Sequence, residues 1–467
     1  MNVKRSIQLL MPLALGIVIA LLSPPEGLTI QAMIFMGIFV CAILWLTFEI
    51  IDDYIVVILA MSLFVVFNIT PLRTVFAPFA SSAVWLVIGA FGISVVVAKV
   101  GLLKRIAFAV LKLFPENFSG QILALLSTGL VISPLIPSLT AKASVLAPFS
   151  ATAAVALGYG KSSKPAAGMF AAMWLSSGIF GCAFLSGAVP VFTILGFLPP
   201  EQQAEFTWTY WLSATWVWLV ILAVLSFFTI IFLFNPGRSN TGVIVEKGFA
   251  AKNLAALGPM SRDEKFAAFF LALALLGWMT GKWHRIDSGI WALVIMSLMA
   301  TTGLMKRGDF GTKISWSTVF FIGGVFSLAS MISVLKIDKW LATLLGPIME
   351  PVFGNAFVLV PVLCVITYLV RCVVISQTAT TAIFFASLGG LAQSSGVHAW
   401  VILFVCYMST LVWHFSFTNT TYVAALGATG GEMVTHRDNQ PMNIAYMIIN
   451  IIACMVSIPL WSAMGLL

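Results

Sequence analysis

An all-α polytopic membrane protein is the fold class this sequence predicts, and three observations predict it. Of the 467 residues, 61% are hydrophobic and only 9% charged, too few polar groups to cover a water-facing surface. Apolar runs near 20 residues long recur from end to end, the length a helix needs to cross a bilayer. The third observation is internal: the two halves of the chain resemble one another, as set out below.

Residues 1–28 open with MNVKRSIQLLMPLALGIVIALL, a basic start followed by an apolar run. No small-residue cleavage site follows and further spans come at once, so this is read as a first transmembrane helix, not a leader. Further spans are expected near 29–47, 53–69 and 81–99, then a polar-tipped hairpin at about 119–157, then spans near 166–196 and 207–234. A hydrophilic stretch at 236–262 separates the halves. Spans near 266–281, 288–304 and 316–335 come next, a second hairpin at about 355–393, and last spans near 397–428 and 441–465. The sum is about 11 crossings and two re-entrant hairpins. An N-terminus in the cytoplasm puts 17 basic residues inside and five (Arg73, Lys282, Arg285, Lys336, Lys339) outside, the asymmetry of the positive-inside rule. The C-terminus is then external, the 236–262 linker cytoplasmic, and the bacterial cytoplasmic membrane the expected location.

SAVWLVIGAFGISVVVAKVGLLKR (Ser82–Arg105) reads against STVFFIGGVFSLASMISVLKIDKW (Ser317–Trp340). Each is followed by a basic, apolar arm (Gly101–Phe114; Lys336–Pro351) and then by a polar S-x-T-A island, Ser138-Leu139-Thr140-Ala141 and Ser376-Gln377-Thr378-Ala379. Five crossings between the hairpins make the second copy enter from the opposite face. This gives two inverted-topology repeats, 29–235 and 263–467, an arrangement of secondary transporters.

Non-helical backbone at a hairpin tip is tolerated at depth only where it is buried or lines a watery cavity. A helix restarting after the tip presents unsatisfied N–H groups and a positive dipole end, which Ser or Thr caps and an anion occupies. Two readings stay open: caps alone, or caps that also grip the two carboxylates of a substrate. The sixteen acidic residues all fall in loops or at span ends, whereas Lys142 and Arg371 lie deep without an acidic partner. A buried cation there costs about 2.5–3.5 kcal/mol. Either the counter-ion is a substrate anion of charge near two or, alternatively, the cations snorkel along the hairpin to a lipid headgroup or bind backbone carbonyls. His414 adds a hydrogen bond or a titratable charge, or is a core histidine satisfied by backbone. FLSGAVPV, with Ser186, Gly187 and Pro190, and FTNTTYV, with Thr418 and Asn419, interrupt later spans in matching places; such discontinuous helices point to a site, and a plain kink is the alternative.

Other classes are disfavoured. The sequence has no HExxH, no paired catalytic carboxylates and only four histidines, so neither an intramembrane enzyme nor a metal site or cofactor is expected. Inverted hairpins favour a carrier over a channel. The net charge of +8 follows from topology, with no case for nucleic acid, and the six cysteines, lacking CxxC spacing, read as small apolar fillers.

With these residues in place, the chain resembles the divalent anion/sodium symporter (DASS) family over nearly its whole length. The nearest resemblance is to the citrate/succinate antiporters and plastidic 2-oxoglutarate/malate translocators. The family pattern is a Ser-Asn-Thr motif at each tip followed by a broken helix in each half. Ser138-Leu139-Thr140 and Ser376-Gln377-Thr378 match the tips; Ser186-Gly187 and Thr418-Asn419 match the breaks. The resemblance implies a homodimer with a static scaffold and an elevator-like transport domain in membrane lipid, carrying small carboxylates. The middle tip residue is where this chain departs: Leu139 cannot ligate sodium, and Gln377 keeps an amide on a longer stem. The expectation is a sodium-independent exchanger of di- or tricarboxylates with Lys142 and Arg371 as fixed counter-charges. A sodium-coupled symporter of the same substrates is the alternative.

Overall fold

The computed structural model describes residues 3–237, 248–429 and 433–467. Part of the expected linker, residues 238–247 with Arg238 and Lys247, therefore lies outside the described residues. The described elements are all helical, joined by short turns. Among the described residues, eight helices are long and apolar enough to span a membrane, and five shorter apolar helices accompany them. Expected crossings near 53–69 and 288–304 belong to the shorter class, as Asp53–Val66 and Ser288–Thr301.

Most span edges are set by local capping chemistry. Side chains of Thr29, Asn117, Ser163, Thr207 and Asn355 each accept an N–H from the first turn of the helix that follows. Ser261 and Glu264 form a reciprocal capping box that starts the helix Arg262–Met279. Expected spans 166–196 and 397–428 are each two helices with an irregular break: Lys164–Gly178 then Val189–Phe197, and Ala399–Thr410 then Thr420–Ala428.

The helices pack as two bundles. Helices Ile30–Phe48, Asp53–Val66 and Ser82–Lys99 pack with Arg262–Met279, Ser288–Thr301 and Trp316–Val334. Ser82–Lys99 is pinned to the other half by Lys99, whose ammonium bonds the Leu304 carbonyl at 3.1 Å and the Asp309 carboxylate at 2.5 Å. The second bundle holds both hairpins, both broken helices, and the long helices Trp208–Phe234 and Gln440–Ala463. Those two are joined by indole bonds from Trp218 to Asn450 (3.0 Å) and from Trp461 to the Ala214 carbonyl (2.8 Å). The arms Leu102–Leu111 and Ile337–Phe353 link the bundles. Each arm is entered through a left-handed residue, Gly101 at φ 83° and Lys336 at φ 58°. Arg105 on the first arm ion-pairs with Glu264 and so fixes that arm to the start of the second half. Five cysteines are buried, whereas Cys372 is exposed.

Candidate functional site

Both polar islands are helix caps beside a break. In the first half, the Ser138 hydroxyl accepts from the Ala141 N–H at 3.1 Å and starts the helix Leu139–Ala156. In the second, Ser376 does the same for Ala379 at 3.1 Å and starts Gln377–Ser394. Each cap satisfies one first-turn donor and leaves the two preceding N–H groups, of Leu139 and Thr140 and of Gln377 and Thr378, outside the intrahelical ladder.

A buried cation ties each tip to the break of its own half. The Lys142 ammonium, fully buried, donates to the Gly187 carbonyl at 2.8 Å. The same junction is closed by the Ser186 hydroxyl on the Pro134 carbonyl (2.7 Å) and the Val189 N–H on the Pro137 carbonyl (3.1 Å). Gly181 makes room for it: a Cβ there would lie 2.2 Å from the Lys142 Nζ and 2.5 Å from the Gly187 carbonyl oxygen. In the second half the fully buried Arg371 guanidinium donates to the carbonyls of Val374 (2.8 Å), Ile375 and Thr418. The two cations sit on opposite arms of their hairpins, Lys142 after its cap and Arg371 before its cap. Of the partners set out above for these cations, backbone carbonyls are the ones in place.

Each tip helix also packs against the post-break helix of the other half: Leu139–Ala156 on Thr420–Ala428, and Gln377–Ser394 on Val189–Phe197. Tyr407, buried in Ala399–Thr410, puts its hydroxyl beside Thr378 of the second tip and Thr193 of the first half. The tips and breaks thus meet in one region.

A cavity of about 410 Å³ opens onto the second tip. It is lined there by Ile375, Ser376, Gln377 and Thr378, and from the break by Thr418 and Thr420. Its other wall is the turn between the second and third helices, with Glu49, Asp52 and Asp53. Of the expected site residues, Ser376, Gln377, Thr378 and Thr418 therefore line this cavity. The first tip is not on its wall: Ser138 is half-buried, Leu139 buried and Thr140 exposed. Ser186 is buried, its hydroxyl also accepting from the Trp208 indole at 3.1 Å. Asn419 is buried as a cap and bridge, accepting from the Tyr422 N–H and donating to the Leu411 carbonyl. His414 turns to the last helix, its Nδ1 facing the Asn443 amide at 3.1 Å.

Sequence reasoning missed the three carboxylates and Tyr407. The stretch FEIIDDY carries three acids in five residues, a signal of a charged turn but not of what that turn faces. Tyr407 sits in an apolar run and gives no local signal. Among the described residues, no group of three or more His, Cys, Asp or Glu is arranged to hold a metal ion.

Comparison with known proteins fits this architecture. The family model for the sodium:sulfate symporter transmembrane region matches residues 3–467. The chain is 28% identical over 353 residues to the inner membrane protein YbhI of Escherichia coli K12, covering 73% of each chain. It is 24% identical over 398 residues to the L-tartrate/succinate antiporter of the same organism, covering 80% of each. Dicarboxylate transporter 1, chloroplastic, of Arabidopsis thaliana is 24% identical over 341 residues, 71% of this chain and 60% of that one.

Proposed function

The chain belongs to the sodium:sulfate symporter transmembrane family, the divalent anion/sodium symporters that its tip motifs resemble, and on that premise we propose that it is a secondary carrier exchanging di- or tricarboxylates of the 2-oxoglutarate, malate or succinate type across the bacterial inner membrane. The relatives' names support the substrate class. In this reading the two halves are inverted repeats, with the N-terminus cytoplasmic and the C-terminus external. The bundle of residues 30–99 and 262–334 is a scaffold, and the hairpin bundle moves against it as an elevator within a homodimer. The left-handed junctions at Gly101 and Lys336 are where the arms flex.

One observation carries the reading: two Ser-capped tip helices at matching places, each tied by a buried cation to the break beside it. The tips hold the two carboxylates of a substrate through the free N–H groups and hydroxyls of Ser138, Thr140, Ser376 and Thr378, with the Gln377 amide and Thr418 beside them. Leu139 supplies packing and backbone. Ser186, Gly187 and Asn419 hold the breaks in shape, and His414 ties the second break to the last helix. Lys142 and Arg371 act through their field. Loaded with a dianion, the moving bundle is near neutral; empty, it carries two uncompensated charges whose desolvation hinders the return step. A carrier that moves freely only when loaded is an obligate exchanger, and Leu139 removes a sodium ligand that would do the same neutralising work.

The three carboxylates on the cavity favour a second reading, sodium-coupled symport, because they raise the local cation concentration. The test is uptake of labelled succinate into proteoliposomes, with and without internal dicarboxylate, in sodium and in choline buffer. Uptake that needs internal substrate and ignores sodium supports exchange. Sodium-driven uptake into empty vesicles overturns it in favour of symport.

A further inference from the structure

We propose that Glu49, Asp52 and Asp53 set the charge selectivity of the site, admitting two-carboxylate substrates and rejecting a third carboxylate. The inference rests on the carrier reading above and narrows its substrate class.

The cavity is electrically two-sided. One wall is the second tip, with the N–H groups of Gln377 and Thr378 at the positive end of their helix. Behind it stands Arg371, fully buried, bonded to the carbonyls of Ile375 and Thr418, with its Nε left without a hydrogen-bond partner. The opposite wall carries the three carboxylates, all exposed. Glu49 lies within electrostatic range of Arg371. The carboxylates are not arranged as a metal cage among the described residues, so their action on a bound anion is through field and distance.

A substrate with one carboxylate on the second tip turns its remaining charge toward this rim, so a third carboxylate adds one more charge to the rim's field. A sphere of about 410 Å³ is about 9 Å across. At that distance in a water-like dielectric, each rim carboxylate disfavours one additional negative charge by a factor of about two, and three together by about ten. A dicarboxylate keeps one charge against the second helix end, with Arg371 behind it, and turns one to the rim, whereas a tricarboxylate turns two.

The experiment compares exchange of labelled succinate and labelled citrate in proteoliposomes at about pH 8, where carboxyl groups are ionised. The expected wild-type preference for succinate, as a ratio of kcat/KM, is about tenfold or more. In the Glu49→Gln/Asp52→Asn/Asp53→Asn variant that ratio falls about tenfold. Raising ionic strength from about 0.01 to 0.15 M also shrinks it in the wild type, because the Debye length drops from about 30 to 8 Å. A wild type that exchanges both acids equally well overturns the rim, as does a variant that still exchanges succinate with the full preference intact. A preference indifferent to salt overturns it even where the triple variant does not fold. A wild type that exchanges neither acid overturns the carrier reading itself, a result the other outcomes do not resemble.

Discussion

Replacing Lys142 by methionine removes one charge while keeping the length and much of the volume of the side chain. Two effects oppose in stability. The Gly187 carbonyl loses its 2.8 Å partner, which costs about 1–3 kcal/mol for a buried acceptor left unsatisfied. The fully buried ammonium no longer has to be desolvated, and that relief is of the same order on the insertion scale, about 2.5–3.5 kcal/mol. The net change in stability is therefore small, and the functional effect is the one to read. In the exchanger mechanism, the penalty for returning empty includes the uncompensated Lys142 charge. Removing it accelerates the empty return, with a ceiling of about 70- to 400-fold set by the full insertion cost. Net uptake into vesicles without internal substrate should rise toward the exchange rate, while exchange itself weakens as the dianion loses a compensating charge. The assay is labelled succinate uptake into empty and preloaded proteoliposomes, with wild type and variant reconstituted at equal density. A Lys142→Met protein with wild-type exchange and an unchanged requirement for internal substrate would falsify the fixed-charge mechanism and leave Lys142 as a structural tie.

Gly181→Ala places a Cβ 2.2 Å from the Lys142 Nζ and 2.5 Å from the Gly187 carbonyl oxygen; a loss of about 1–3 kcal/mol should appear as a lower Tm together with reduced exchange, and wild-type behaviour in both would show that the junction relaxes freely. Ser138→Ala and Ser376→Ala each remove an N-cap, costing about 1 kcal/mol, and should raise KM for succinate more than they lower kcat; matching losses in kcat alone would argue against the tips as binding groups. Asp309 is held well below its ordinary carboxyl value, first by Lys313 and then by Lys99. Because the folded value is depressed, its stabilisation is present above the unfolded value of 3.8 and is lost as pH falls from there. The Tm difference between wild type and Asp309→Asn should accordingly be constant near neutral pH and shrink below about pH 4; a difference that grows on acidification would reverse the assignment.

The spans and the two tips were legible in the sequence for local reasons. Hydrophobic run length locates a bilayer-crossing helix, and Ser138 and Ser376 cap helices through bonds reaching only three residues along the chain. The breaks were legible for the same kind of reason: Gly187 just before a helix, Pro190 in its first turn and Asn419 as an N-cap are local signals of where a helix stops and restarts. Expected edges such as 316–335 and 207–234 meet observed helices Trp316–Val334 and Trp208–Phe234, because capping residues act on their own neighbourhood.

What the tertiary structure alone decided is where charges point. Lys142 and Arg371 were recognisable as buried cations from their place in apolar sequence. That each reaches a carbonyl of a break more than 40 residues away, Gly187 and Thr418, depends on how hairpin and broken helix pack. Glu49, Asp52 and Asp53 read as an ordinary acidic turn, and only folding carries that turn across a cavity from a helix start more than 300 residues later. Local chemistry determined which segments become helices, caps and breaks, since hydrogen bonding within a helix spans a few residues. The electrostatics of the site belonged to the fold, because a charge acts through space on whatever the packing brings near it.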